Sequence, residues 1–294
     1  MSISDEAPLP WADMNAPDLM SLLRVDDDTF VSRFNQCNFD GHLFGGQALG
    51  QSAAAAMATV EGPRLHSMHG YFLRAGAGER RVIYKVERLR DGRRFSTRRV
   101  LALQNGKPIF VMNCSFYMPQ HGFEHQASMP DVPQPESLRS LSEIAADTAN
   151  ALHSQELTNI SALYPIEVRP SRPDLLFTQA QEPRLLFWVR VPSAVSTDDA
   201  NTHLQILAYV SDFWLVAAAL APHHSFVHNK TMEIASLDHA LWFHRPARLD
   251  DWLLYETDSP SALHGVNLAR GQFYTRGGTL VASTAQQALQ VMRS

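Results

Sequence analysis

The sequence predicts an α+β fold made twice over, each half an apolar helix followed by an antiparallel sheet that wraps it. Three observations carry this. Helical and alternating apolar stretches follow one another in the same order in both halves. The halves also match by number: a shift of 171 sets Tyr71-Phe72-Leu73-Arg74 on Trp242-Phe243-His244-Arg245, Gly106 on Gly277, and Ile109-Phe110 on Leu280-Val281. The helical stretches are apolar on every side, which suits burial within a sheet rather than on its surface.

Each element has its own signal. Residues 1–16 are acidic, lack an apolar core and read as a flexible tail. Pro17 to Val25 holds Leu19, Leu22 and Leu23 on one side, a short helix, and Thr29 to Phe34 reads as a strand. In GHLFGGQALGQSAAAAMATV the Ala-rich body is a helix with a tight opening at Gly45-Gly46. VIYKVER alternates, with Val82, Tyr84 and Val86 on one face, as a half-buried strand does. Asp91-Gly92 and Asn105-Gly106 signal hairpin turns around RRVLALQ and PIFVMNCSFYM. Residues 17–118 thus form a first repeat. Prolines 119, 130, 133 and 135 mark 119–157 as a linker laid over the surface, with a helix near 137–153. Residues 158–294 restart the pattern: PIEVRP and LLFWVRV as strands, SDFWLVAAALA as the helix, then IASLDHALWFHR, DWLLYET, LARGQFYT and TLVASTAQ. A shift of 165 aligns the two helix openings and sets Gln47 against Asp212. The result is a double hotdog, two tandem repeats of a sheet around a central helix.

Composition narrows the function. The chain of 294 residues with 45% hydrophobic residues can bury a sizeable core. A net charge of −5 gives no reason to expect nucleic acid or an anionic membrane as partner, though Arg93, Arg94, Arg98 and Arg99 could meet a phosphorylated small molecule. Two cysteines, Cys37 and Cys114, form neither a zinc pattern nor a disulfide framework and fit a reducing, cytoplasmic setting. No apolar run approaches the roughly 20 residues of a membrane span. No metal site is expected: His66 and His69, like His239 and His244, sit at odd spacings that send them to opposite strand faces. No GxSxG elbow, phosphate loop or HExxH is present.

One acid then stands out. Asp212 precedes an apolar run from Phe213 to Ala221. It is either a helix cap or a general base at the mouth of an apolar tunnel. At a helix start, unpaired N–H groups would favour its charge, while an apolar tunnel would oppose it.

GGQALGQ, HSMHGYFLR, VERLRDGRRFSTRRVLALQNGKPIF and FEHQASMP resemble motifs of the acyl-CoA thioesterase II (TesB-type) family. So do LAYVSD, IASLDHALWFHRP, DWLLYETDSPSA, ARGQFYT and LVASTAQ in the second half. The resemblance spans about residues 17–292. It implies hydrolysis of fatty acyl-CoA to a free fatty acid and coenzyme A, without a cofactor, by an enzyme that assembles further into a dimer or tetramer. It implies Asp212, Ser236 and Gln286 as the groups that hold and activate the attacking water. Ser236 stands where the family commonly has Thr, and Gln287-Ala288 stands where Glu-Gly is usual. Donors for the oxyanion are expected from the helix opening at Gly45, Gly46 and Gln47. Two other readings remain: a non-catalytic acyl-CoA binder or sensor, and a hotdog enoyl-CoA hydratase. The hydratase would want an Asp and a His about five residues apart on the helix, and position 217 is Ala.

Overall fold

A computed structural model describes residues 7–9, 11, 15–38, 40–180, 182–223 and 232–292. In chain order its elements are α1 (Ala16–Met20), β1 (Leu22–Arg24), β2 (Thr29–Ser32), α2 (Gly45–Met57), β3 (Arg64–Phe72), β4 (Ile83–Asp91), β5 (Phe95–Gln104) and β6 (Lys107–Tyr117). Then come α3 (Leu141–Asp147), α4 (Ala151–Leu163), β7 (Glu167–Pro170), β8 (Arg184–Arg190), α5 (Ala200–Ser211) and α6 (Ala217–Leu220). The chain ends with β9 (Met232–Ser236), β10 (Asp238–Phe243), β11 (Leu253–Leu263), β12 (Val266–Thr275) and β13 (Leu280–Met292). Of the 1–16 tail, residues 1–6, 10 and 12–14 lie outside the described residues. Leu9 pairs with Phe34, its N–H donating to Arg33 O at 2.8 Å.

The chain divides into two compact units. The first takes the described residues of Met1–His125, Ser193–Phe213 and Asp238–Ala247. Its strands run β1-β2-β4-β5-β6-β3-β10, every pair antiparallel. Asn105 and Gly106 take φ of 50° and 70°, the left-handed pair that closes the β5–β6 hairpin. Val82, Tyr84 and Val86 all face inward. Leu49, Ala53, Ala55 and Ala56 of α2 are buried, with Val100, Ala102, Met112 and Phe116 on the sheet. Helix α5 lies against α2 at very short range. A Cβ on Gly46 would meet Tyr209 O at 2.4 Å, and one on Gly50 would meet Gln205 O at 2.9 Å. Glycines four apart share a helix face, so the pair opens a groove into which the α5 backbone settles.

The second unit takes the described residues of Gln126–Pro192, Trp214–Leu237 and Arg248–Ser294. Its strands run β9-β13-β12-β11-β8-β7, again antiparallel. Its core gathers Trp188, Trp252, Leu254, Tyr274 and Leu280, and Met129, Val132 and Leu138 of the linker pack on it. The Trp188 indole N–H donates to Pro133 O at 2.9 Å. The helix expected near 137–153 is two helices, α3 and α4. Ser140 caps α3 by a capping box with Glu143.

The helix expected over residues 211–221 is not there. Asp212 follows the last residue of α5 as its C-cap, at φ −83° and ψ −13°. Trp214 takes φ 59°, which no right-handed helix admits, and α6 resumes only at Ala217. Asp212 therefore opens no helix of its own, and the alignment of Gln47 with Asp212 as matching helix openings fails. The strand expected over IASLDHALWFHR is likewise two, β9 and β10, broken at Leu237 and shared between the units.

Candidate active site

In the first unit the site is built at the start of α2. Phe44 is the N-cap and offers no side-chain bond, and the Gln47 N–H turns back to Phe44 O at 3.1 Å, so the Gly45 and Gly46 N–H groups have no side-chain cap. The Asp212 carboxylate lies at this end: a Cβ on Gly45 would come within 2.6 Å of Asp212 Oδ2 and 3.0 Å of Phe72 Cε1. Only glycine leaves that space. The N–H groups that favour an anion at Asp212 are thus those of α2, not of a helix that Asp212 begins.

The α5 side is held firmly. Asp199 caps its N-terminus, accepting from the N–H groups of Asn201 at 3.3 Å and Thr202 at 3.0 Å. Burial pulls the Asp199 carboxyl up, yet the Thr202 hydroxyl and these N–H groups outweigh it and hold it below the usual carboxylate range. In the last turn Ser211 Oγ donates to Ala208 O at 2.8 Å and lies 2.9 Å from His239 Nε2. With its proton given to Ala208, the hydroxyl accepts from the ring. Both residues are fully buried. This tie between α5 and β10, immediately before Asp212, was not legible in the spacing rule that set His239 aside as a metal ligand.

Gln47, expected beside the substrate, is fully buried. Gln36 N–H donates to its Oε1 at 2.6 Å, and its Nε2 donates to Asn35 Oδ1 at 3.0 Å and Gln51 Oε1 at 3.1 Å. Tyr209 OH donates to Gln36 Oε1 at 2.8 Å, and Tyr84 OH to Gln51 Oε1 at 2.7 Å. Burial pushes the Tyr84 phenol well up, so it remains a donor. The Gln47 amide is engaged within the protein, locking the 34–36 segment to α2. Gly46 is buried as well, so what this helix end leaves partly exposed is backbone at Gly45.

In the second unit the structure brings Ser236 and Gln286 together. Ser236 ends β9 and pairs with Ala288 of β13. Gln286, one inward-facing position earlier on β13, donates from Nε2 to Ser236 Oγ at 2.7 Å. With the amide as donor, the hydroxyl keeps its own proton to give. Gln286 pairs with Ala269 on its other side, so small residues flank the pair. Nearby, Gln290 Nε2 donates to Val216 O at 3.1 Å and fastens the segment after Trp214 to β13. The Trp214 ring meets Phe187 edge to face at 5.4 Å. Asp212 belongs to the other unit.

The two halves match two family models: one described as acyl-CoA thioesterase over residues 161–289, the other as acyl-CoA thioesterase N-terminal domain over residues 36–117. The acyl-coenzyme A thioesterase 8 of Mus musculus is 38% identical over 281 residues, covering 92% of this chain and 87% of its own. The acyl-CoA thioesterase 2 of Haemophilus influenzae is 36% identical, covering 92% and 95%. Among solved structures, an acyl-CoA thioesterase II TesB2 from Mycobacterium marinum superposes with a TM-score of 0.78 at 34% identity, over 95% of this chain and 99% of that one. The double hotdog fold expected from the repeat is the fold observed.

Proposed function

This chain belongs to the acyl-CoA thioesterase family and is a thioester hydrolase, and we propose that it works by activating water with Asp212 as base and Ser236 and Gln286 as the holders of that water. Water is a weak nucleophile at neutral pH and needs a base to take its proton as it attacks. Asp212 takes that proton. The oxygen adds to the thioester carbonyl, and the oxyanion that forms is met by first-turn N–H groups of α2 at Gly45 and Gly46. The carbon–sulfur bond then breaks. The sulfur leaves as coenzyme A with the proton that Asp212 took, and the acid gives its remaining proton to solvent and leaves as carboxylate.

One observation carries this reading: the 2.7 Å bond from Gln286 to Ser236. Two neutral groups, locked together on one sheet face, can hold a water by donating and accepting without competing for its proton. The hydratase alternative lacks its histidine, since position 217 is the buried Ala217. A binder that only senses acyl-CoA has no use for a paired hydroxyl and amide beside small residues. Fatty acyl-CoA as the substrate, the cytoplasm as the location and a homo-oligomer as the working state belong to the same proposal. They rest on the resemblance in both halves and on cysteines in no disulfide pattern. Among the described residues no helix is long and apolar enough to cross a membrane.

The test is thiol release from acyl-CoAs of graded length. Asp212→Asn lowers kcat by about 100- to 10,000-fold and leaves the melting temperature near that of the wild type. A folded variant with wild-type kcat would remove Asp212 as the base.

A further inference from the structure

Asn267 on β12 is 2% exposed and half satisfied. Its Nδ2 donates to Ala288 O at 3.1 Å, while its Oδ1 is enclosed and meets no donor among the described residues. Asparagine suits a strand interior poorly. A buried acceptor without a partner is destabilising, and a Val or Leu of similar size would carry no such cost. A purely structural account of this residue therefore explains its Nδ2 and not its Oδ1.

Its place in the sheet is specific. Asn267 pairs directly with Ala288, and Ala288 pairs directly with Ser236. The three form one row across β12, β13 and β9. Alternation along β12 and β13 puts Asn267, Ala269, Gln286 and Ala288 on the same inner face. Two strand spacings, about 9.5 Å, separate the backbones of Asn267 and Ser236. Between them Ala288 contributes only a methyl group. The row thus reads as an amide oxygen, a low floor, then the hydroxyl held by Gln286.

We propose that Asn267 is a specificity-determining residue: its Oδ1, enclosed in the folded chain, is uncovered as the thioester substrate enters and accepts a hydrogen bond from a donor that the substrate carries a few bonds from the reacting carbonyl. This rests on Ser236 and Gln286 holding the attacking water, which places the carbonyl over the same row. An unsubstituted alkyl chain brings no such donor. Two sources do: a hydroxyl on the acyl chain, as in a 3-hydroxyacyl group, and the first amide N–H of the coenzyme A arm beyond the sulfur. A site built to bond a substrate donor discriminates against the analogue that lacks it far more than an apolar wall does.

The experiment measures kcat/KM for wild type, Asn267→Leu and Asn267→Ala. The substrates are an unsubstituted acyl-CoA, the 3-hydroxyacyl-CoA of equal length, and the unsubstituted acyl group as its ethanethiol ester. If the acyl hydroxyl is the donor, the wild type prefers the hydroxylated substrate and both variants lose that preference by about 10- to 100-fold. If the arm amide is the donor, the variants instead lose the preference for the coenzyme A ester over the ethanethiol ester by a similar factor. Either result supports the proposal and names the source. Substrate ratios unchanged in both variants overturn it, and so does failure of both variants to fold, which would make Asn267 structural. The underlying reading is checked apart from these ratios: Gln286→Ala should lose turnover on the unsubstituted acyl-CoA, and if it does not, the water assignment fails whatever the ratios show.

Discussion

Consider one methyl group added at Gly45. The new Cβ would stand 2.6 Å from Asp212 Oδ2, with Phe72 Cε1 at 3.0 Å on another side. Ordinary contact begins near 3.4 Å, so the carboxylate must retreat by about 0.8 Å. Phe72 yields little room, because its ring rests on Phe110 at a centroid distance of 4.9 Å. Gly45 is not among the left-handed residues, so alanine fits its backbone without strain. Alanine is also the better helix former, by up to about 1 kcal/mol. Stability should therefore change by no more than about 1 kcal/mol in either direction. Turnover should not be spared, since a misplacement near 1 Å can cost about 100-fold in rate. The assay is thiol release from acyl-CoA for Gly45→Ala, Asp212→Asn and the double variant, with thermal melting of each. The double variant should be no slower than Asp212→Asn, because both changes act on one carboxylate. A folded Gly45→Ala protein with wild-type kcat would refute the reasoning: the position of Oδ2 would then not matter to the reaction.

Two further predictions concern the helix pair. Gly46→Ala should lower the denaturant midpoint by an amount equivalent to about 1–3 kcal/mol, because its Cβ would meet Tyr209 O, a backbone atom, at 2.4 Å; an unchanged midpoint would mean the two helices do not approach through this glycine. Asp199→Ala should cost about 1 kcal/mol at neutral pH by removing the α5 cap. The Asp199 carboxyl is held below its ordinary range, so its contribution is present above the unfolded-state value and fades as pH falls through the folded one. The gap in melting temperature between wild type and variant should hold down to about pH 4 and narrow as the pH falls further, and a gap unchanged from neutral pH down to about pH 2 would count against the cap.

Much of the fold was legible in short-range pattern. The alternation at 82–86 and the turn at Asn105-Gly106 needed only side-chain period and backbone freedom, and both stand in β4 and the β5–β6 hairpin. The offset of 171 was legible because equivalent places keep equivalent residues. Phe72 and Phe243 end β3 and β10, while Gly106 and Gly277 lie in the β5–β6 and β12–β13 turns. The stretch around Asp212 was not. Its apolar run reports burial, not periodicity, and Trp is not a residue that announces a left-handed turn, yet Trp214 makes one. The true helix carried an ordinary signal in Asp199 and Thr202 that the greasier segment outweighed. Ser236 and Gln286 were found through family resemblance alone, because their contact joins positions 50 apart through the β9–β13 register. Asn267 gave no local sign at all. Its open acceptor exists only once β12 lies on β13.

The placement of Asp212 follows from how α5 lies on α2. Gln205 O meets Gly50, Tyr209 O meets Gly46, and Asp212 Oδ2 meets Gly45. Numbers rise along one helix as they fall along the other, so the two run antiparallel. That brings the C-terminal end of α5 beside the N-terminal end of α2, a favourable meeting of opposite partial charges. A carboxylate at the end of α5 is repelled by its own helix, and turning toward α2 relieves this. The glycines then fix where along α2 it lands. A slip of one turn would move the carboxylate about 5.4 Å, away from Gly45 and toward residues that carry side chains. Such a slip would still leave Tyr209 O on a glycine, Gly50, but would press Gln205 O onto the Cβ of Ala54. The contact that looks like packing, Gly46 and Gly50 under α5, is thus what aims the acid.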